Sequence, residues 1–171
     1  DIIYINSHRG SLEKSEAFIK GYITFMDKAS MLVARLVNPQ PGERILDCCA
    51  APGGKSMYMA ALMDNVGSLM SCDIHEHKIE LMNSNAKRLG ASIVHTKVQD
   101  ATKLPDSWNA YFDRVLVDAP CSGLGILQKK LDMRWRKQES ILSELPPLQL
   151  AILERAAMTV KEKGYLIYST C

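Results

Sequence analysis

No stretch of this sequence approaches the roughly 20 consecutive apolar residues that carry a helix across a bilayer, which argues against a membrane-spanning helix. Asp1 to Gly10 have neither the basic start nor the apolar stretch of a secretory signal. Charge of one sign is also lacking. Lys and Arg number 21 and Asp and Glu 19, and the resulting +2 is too small to imply nucleic acid by itself. Five cysteines, Cys48, Cys49, Cys72, Cys121 and Cys171, form no C-x-x-C pair, and their odd count argues against a zinc site and a disulfide framework. Reduced thiols in a cytoplasmic protein, with no metal, are the simplest expectation. Repeats and low-complexity tracts are absent. So are the Gly-x-Gly-x-x-Gly dinucleotide fingerprint and the P-loop.

What is present is a chain of 171 residues, enough for one domain with a core. It opens without Met and stops just after a strong strand, as expected of a piece of something longer. Strand-like and helix-like patterns alternate. Continuous apolar runs at Arg44–Cys48, Ser68–Asp73, Ser92–Thr96, Arg114–Asp118 and Tyr165–Thr170 fit parallel strands buried on both faces. Helical patterns cover Lys55–Met63, His77–Leu89 and Leu148–Val160, and Gly90 and Gly164 stand where helices should end. A longer helical stretch, Ser15–Val37, closes at the turn Asn38-Pro39-Gln40-Pro41-Gly42. The expected architecture is a doubly wound, parallel α/β sheet.

The chemistry is concentrated at the ends of the predicted strands, where such sheets form their ligand crevice. Asp47 to Lys55 runs from strand through a tight loop into a helix. Gly53 and Gly54 let a ligand approach the backbone there, and the helix start attracts an anionic group. Asp73 lies 26 residues beyond Asp47 at the end of the next strand, placed to accept from ribose hydroxyls, and Asp100 follows the third strand, placed to accept from an adenine amino group. Each acid alone is equally well read as a cap for the next helix or turn; in series after successive strands, adenosine binding is the better account. Asp118-Ala119-Pro120-Cys121-Ser122-Gly123 and Ser169-Thr170-Cys171 each end a strand with a cysteine. Two thiols and a carboxylate converging there suggest covalent chemistry by a sulfur nucleophile.

These segments, together with Asp132–Trp135, stand in the order and spacing of one family. The chain resembles the catalytic core of the Sun (Fmu) family of RNA cytosine-5 methyltransferases, most closely its bacterial 16S ribosomal RNA members. The resemblance implies a Rossmann-like methyltransferase fold, S-adenosylmethionine as cofactor and RNA as partner. It implies cofactor contacts from Cys49, Ala50, Ala51, Pro52, Gly53, Gly54, Lys55, Asp73, Asp100 and Asp118. It assigns the nucleophile to Cys171 and product release to Cys121, with Asp118 hydrogen-bonding the cytosine edge and Lys55 completing the electrostatics. A thiolate adding to carbon 6 makes carbon 5 enamine-like and nucleophilic; a base then removes the carbon-5 proton and the thiol leaves. Cys48 and Cys72 are read as small buried hydrophobes and Cys49 as a packing residue of the loop.

Gln128 to Lys137 places five basic residues around one Trp directly after the Pro-Cys loop. Such a run is often only a solvated face. Its position favours RNA contact, with Lys129, Lys130, Arg134 and Arg136 on phosphates and Trp135 stacking on a base. The chain departs from the family pattern at Met26, where relatives usually carry Gln before Asp27, in a segment expected beside the active site. The family fold also continues past the Thr-Cys motif with two more strands, so the sheet is expected to be truncated after its fifth strand. The expected division is an N-terminal helical segment, residues 1–40, leading into a methyltransferase core, residues 41–171. A transfer-RNA methyltransferase of the same family and a non-catalytic RNA-binding module that retains the cofactor site are the alternatives.

Overall fold

The computed structural model describes residues 10–123 and 141–170. Five strands, β1 (Arg44–Asp47), β2 (Ser68–Asp73), β3 (Val94–Val98), β4 (Phe112–Asp118) and β5 (Val160–Ser169), form one sheet in the order β3-β2-β1-β4-β5. Every neighbouring pair is parallel. Five α-helices accompany them among the described residues: α1 (Glu16–Ile19), α2 (Lys28–Val37), α3 (Gly54–Leu62), α4 (Glu76–Leu89) and α5 (Ile141–Thr159). The order reverses direction at β1, which places a crevice beyond the carboxyl ends of β1 and β4.

The pleat explains why the strand runs are apolar throughout. Ile45 and Leu116 face Ala34 and Val37 of α2 and Met59 and Ala60 of α3, all buried. Leu46, Val115 and Val117, their immediate neighbours in sequence, face Ile152 and Ala156 of α5 on the other side. Successive side chains point to opposite faces, so a strand covered on both sides must be apolar at every position. Each fully buried Leu, Ile or Val contributes roughly 1.5–3 kcal/mol of transfer free energy. The sheet is doubly wound, as the sequence predicts. No helix among the described residues is long and apolar enough to cross a membrane.

The predicted helix over Ser15–Val37 is corrected by the structure. It is two helices, α1 and α2, separated by a turn at Gly21, whose φ is +77°. A Cβ at Gly21 would collide with the carbonyl of Arg88, because the turn lies directly on the end of α4. Arg88 fastens it further: its Nη1 donates to the Phe18 carbonyl at 2.8 Å and to the Ile23 carbonyl at 3.2 Å, and its guanidinium lies 3.9 Å from the centre of the Phe18 ring. Asp27 then caps α2, its Oδ1 accepting from the Ala29 amide at 2.9 Å.

Gly164 is a second correction. α5 ends at Thr159 and β5 begins at Val160, so Gly164 lies inside the strand rather than at a helix end. A Cβ there would come within 2.8 Å of the Asp113 carbonyl oxygen, beside the irregularity at Phe112/Arg114 where β4 and β5 change register. Gly90 does end α4, at φ +66°.

Candidate active site

A cavity of about 920 Å³ opens at the carboxyl ends of the strands, lined by residues of the β1–α3 loop, Asp73, Asp100, Asp118, Cys121 and Thr170. The loop is hung between strands. The Cys48 amide donates to the Leu116 carbonyl of β4 at 2.9 Å, and the Ala50 amide to the Cys72 carbonyl of β2 at 2.8 Å. Gly53 has φ +96°, and a Cβ there would sit 2.9 Å from Met82 Cγ, so both the backbone conformation and the packing of α4 require glycine. At Gly54, where α3 begins, a Cβ would meet nothing within 4 Å. The start of the helix is therefore open to a ligand.

Beneath the loop lies a buried polar chain that sequence reasoning did not anticipate. Ser71 Oγ donates to Ser56 Oγ at 2.9 Å, and Ser56 Oγ donates to Asp47 Oδ2 at 2.7 Å. Asp47 Oδ1 is buried with no hydrogen-bond partner among the described residues. Burial drives the Asp47 carboxyl up to about 7, against the Ser56 hydroxyl and the Lys55 ammonium, which favour its charged form.

Two acids present one oxygen to the protein and leave the other open. Asp73 Oδ1 accepts from the His75 amide at 3.0 Å and lies 3.4 Å from Lys78 Nζ. Asp100 Oδ1 accepts from the Thr102 amide at 2.9 Å and the Thr102 hydroxyl at 2.7 Å; the hydroxyl bond is the largest influence on its carboxyl, which is held below its ordinary value. The capping role weighed for these acids is thus what one oxygen of each does. The second oxygen, Oδ2, accepts no hydrogen bond from the described residues in either case, and both acids line the cavity. This donor-hungry pair suits a ligand rich in hydroxyl and amino groups, as an adenosine is.

Asp118 differs, because both of its oxygens are engaged. Lys55 Nζ donates to Oδ2 at 2.6 Å and Ser169 Oγ donates to Oδ1 at 2.6 Å. The Lys55 and Asp118 side chains are 19% and 30% exposed, so the pair faces the cavity without being fully solvated. Three sequence motifs meet in this one cluster.

The cysteines separate by environment. Cys48 and Cys72 are buried free thiols, as expected. Burial pushes the Cys48 thiol upward and the Cys72 thiol up to about 12. Cys49 is likewise pushed up to about 12 by burial and by Asp47. None of the three holds a reactive thiolate at neutral pH. Cys121 is half-buried, lines the cavity and is disulfide-bonded. That departs from the expectation of uniformly reduced thiols. Cys171 and the proposed RNA-contacting residues Lys129, Lys130, Arg134, Trp135 and Arg136 lie outside the described residues.

Asp27, Ser30 and Val33 supply one wall of the cavity and Leu148 and Ile152 of α5 another. Only the placement of the Met26–Asp27 segment hinted at the first wall. Gln149 Nε2 donates to the Pro120 carbonyl at 2.7 Å and fixes the Pro-Cys loop to α5.

A model described as 16S rRNA methyltransferase RsmB/F matches residues 34–171. The chain belongs to that family. It is similar to the probable ribosomal RNA small subunit methyltransferase B of Bacillus subtilis (strain 168), 45% identical over 95% of this chain and 37% of the relative. It is also similar to the human tRNA (cytosine(72)-C(5))-methyltransferase NSUN6, 36% identical over 91% of this chain and 35% of that protein. The crystal structure of NSun6 from Pyrococcus horikoshii with SFG superposes with a TM-score of 0.86 at 34% identity, covering 95% of this chain and 41% of that one. The chain therefore spans little more than a third of the length of the curated relatives it matches.

Proposed function

We propose that this chain is the cofactor-binding and catalytic core of an S-adenosylmethionine-dependent RNA (cytosine-5) methyltransferase acting on ribosomal RNA in the cytoplasm. The observation that carries the reading is the Lys55–Asp118–Ser169 cluster at the carboxyl ends of β4 and β5, beside two half-open carboxylates. In this reading residues 41–171 form the methyltransferase core, and residues 1–40 lead into it through α2, whose Ala34 and Val37 pack against it.

The cofactor fits the residues present. The open start of α3 at Gly54, with Cys49, Ala50, Ala51, Pro52 and Gly53 before it, receives the carboxylate-bearing end. Asp73 accepts from the ribose hydroxyls and Asp100 from the adenine amino group. The SFG of the archaeal relative is an S-adenosylmethionine analogue, which supports the assignment. When bound, S-adenosylmethionine supplies an electrophilic methyl group.

The remaining chemistry belongs to the chain. The Cys171 thiolate adds to carbon 6 of a flipped cytosine, which gives carbon 5 its nucleophilic character. Asp118 has lone pairs left after Lys55 and Ser169, and these accept from the base's exocyclic amino group. Lys55 neutralises the carboxylate and orients it. Cys121, in its thiol form, assists release once the carbon-5 proton has gone. Lys129, Lys130, Arg134 and Arg136 hold the RNA phosphates and Trp135 stacks on a base.

A second reading, a transfer-RNA substrate, is favoured by the likeness to human NSUN6. Methyl transfer by the full-length protein, assayed separately on 16S ribosomal RNA and on transfer RNA with the product nucleoside identified, separates the two. 5-Methylcytosine in ribosomal RNA is expected. Methylation of transfer RNA alone establishes the second reading; cofactor binding with no transfer to either RNA leaves a binding module and contradicts both.

A further inference from the structure

We infer that Ser169 is a positioning residue for the reaction, acting through Asp118. This rests on the proposed function for its catalytic consequence but on geometry alone for its existence. Asp118 is the carboxylate that reads the base in that reading, and a carboxylate on a single-bonded Cβ–Cγ axis is free to rotate unless both oxygens are held. Here both are. Lys55 takes Oδ2 and Ser169 Oγ takes Oδ1, each at 2.6 Å.

Ser169 is the better fixed of the two donors. A lysine reaches its partner over four methylenes and places a point charge with little directional demand. Ser169 has a single side-chain torsion before its hydroxyl, and its backbone is locked: it stands opposite Asp118 in the β4–β5 register, and its carbonyl accepts from the Ala119 amide at 2.8 Å. The hydroxyl and carbonyl of one residue therefore clasp the last residue of β4 and the residue that follows it. This sets the plane of the Asp118 carboxylate relative to β5, so the residue that reads the base and the strand leading into Thr170-Cys171 are held in one register. Ser169 lines the cavity, but its hydroxyl proton is committed to Asp118, and in this account it contacts neither cofactor nor base. Its hydroxyl works by removing rotational freedom from Asp118, and the remaining lone pairs of that carboxylate are thereby aimed before the base arrives.

The test uses the full-length protein carrying Ser169→Ala and Ser169→Thr. Threonine keeps the hydroxyl and suits a strand. Loss of a hydrogen bond to a charged group that matters in the transition state should lower kcat about tenfold or more in Ser169→Ala. The S-adenosylmethionine dissociation constant and the KM for RNA should stay within about twofold, and Ser169→Thr should recover most of the rate. A rate in Ser169→Ala equal to the parent's, an equally impaired threonine variant, or a proportionate loss of cofactor affinity overturns the inference. A second readout does not need activity. The side-chain carboxyl ¹³C resonance that disappears in Asp118→Asn should move in Ser169→Ala and stay near its parent position in Ser169→Thr; an unmoved resonance in Ser169→Ala overturns the inference. If the parent transfers no methyl group, the proposed function fails, and the carboxyl resonance still decides whether Ser169 positions Asp118.

Discussion

Lys55 Nζ lies 2.6 Å from Asp118 Oδ2, joining side chains 63 residues apart in the chain. The contact fastens the start of α3 to the end of β4, across the point where the strand order reverses. Because the two side chains are 19% and 30% exposed, the pair should matter little to stability; partly exposed ion pairs contribute about 0–1 kcal/mol. Its importance should lie in the reaction. Lys55→Met is expected to lower the unfolding free energy by about 1 kcal/mol at most while reducing methyl transfer about 100-fold. Denaturant titration and single-turnover assays on the same preparation check both halves. A variant that loses stability but keeps its rate would make the pair a structural clamp.

Asp73 keeps one oxygen free of the described residues, and the proposed cofactor needs an acceptor there. Asp73→Ala should weaken S-adenosylmethionine binding by roughly 1–3 kcal/mol, the cost of leaving a buried hydroxyl unpaired. Calorimetry measures it directly. Unchanged affinity would remove Asp73 from the site.

Asp47 makes a prediction about pH. Its carboxyl is raised from 3.8 to about 7, chiefly by burial. The folded protein therefore holds this proton more tightly than the unfolded chain does. The resulting stabilisation is complete below the unfolded value and is lost as pH rises through the folded one. Between about pH 4 and pH 7 the parent should lose on the order of a few kcal/mol that Asp47→Asn does not, because the amide keeps an acceptor for Ser56 Oγ without titrating. Chemical denaturation across that range tests it. Parallel pH profiles for parent and variant would contradict the assignment.

The fold was largely legible because burial on both faces leaves an unmistakable mark. Ser68–Asp73 is a strand with the bounds its apolar run predicts, and Gly90 ends its helix as expected. The failures depend on tertiary contacts that no local pattern carries. The apolar spacing of Ser15–Val37 runs through Gly21 without interruption, and the chain breaks there because of Arg88, far along the sequence. Gly164 reads as a helix stop, yet it is small because β4 passes close by. At the candidate site, Asp73, Asp100 and Asp118 line the cavity where their places after strands put them. The role of Ser169 could not be read in that way, since it follows from the register of β5 against β4. The family resemblance hinted at the Asp27 end of the α2 wall, while Ser30 and Val33 required knowing where α2 docks.

Gly53 offers a check on the loop itself. With φ +96° and Met82 Cγ 2.9 Å from where a Cβ would stand, Gly53→Ala should cost more than about 1 kcal/mol of stability. It should weaken cofactor binding as well, since the loop must shift to relieve the contact. Gly54→Ala, which meets nothing within 4 Å in the free protein, should leave stability nearly unchanged and weaken only cofactor binding. Equal stability losses in the two variants would argue against this division.

The division of labour between two cysteines is the centre of the account, and covalent trapping measures it most directly. Full-length parent, Cys121→Ser and Cys171→Ser proteins are incubated with S-adenosylmethionine and target RNA, with and without 5-fluorocytosine, under reducing conditions, and resolved on denaturing gels. The account predicts that Cys121→Ser accumulates an adduct even on unmodified RNA, because release fails. It predicts that Cys171→Ser forms none on either RNA. An adduct in Cys171→Ser together with none in Cys121→Ser would reverse the roles, and the absence of any adduct from the parent on 5-fluorocytosine RNA would contradict covalent catalysis by this chain.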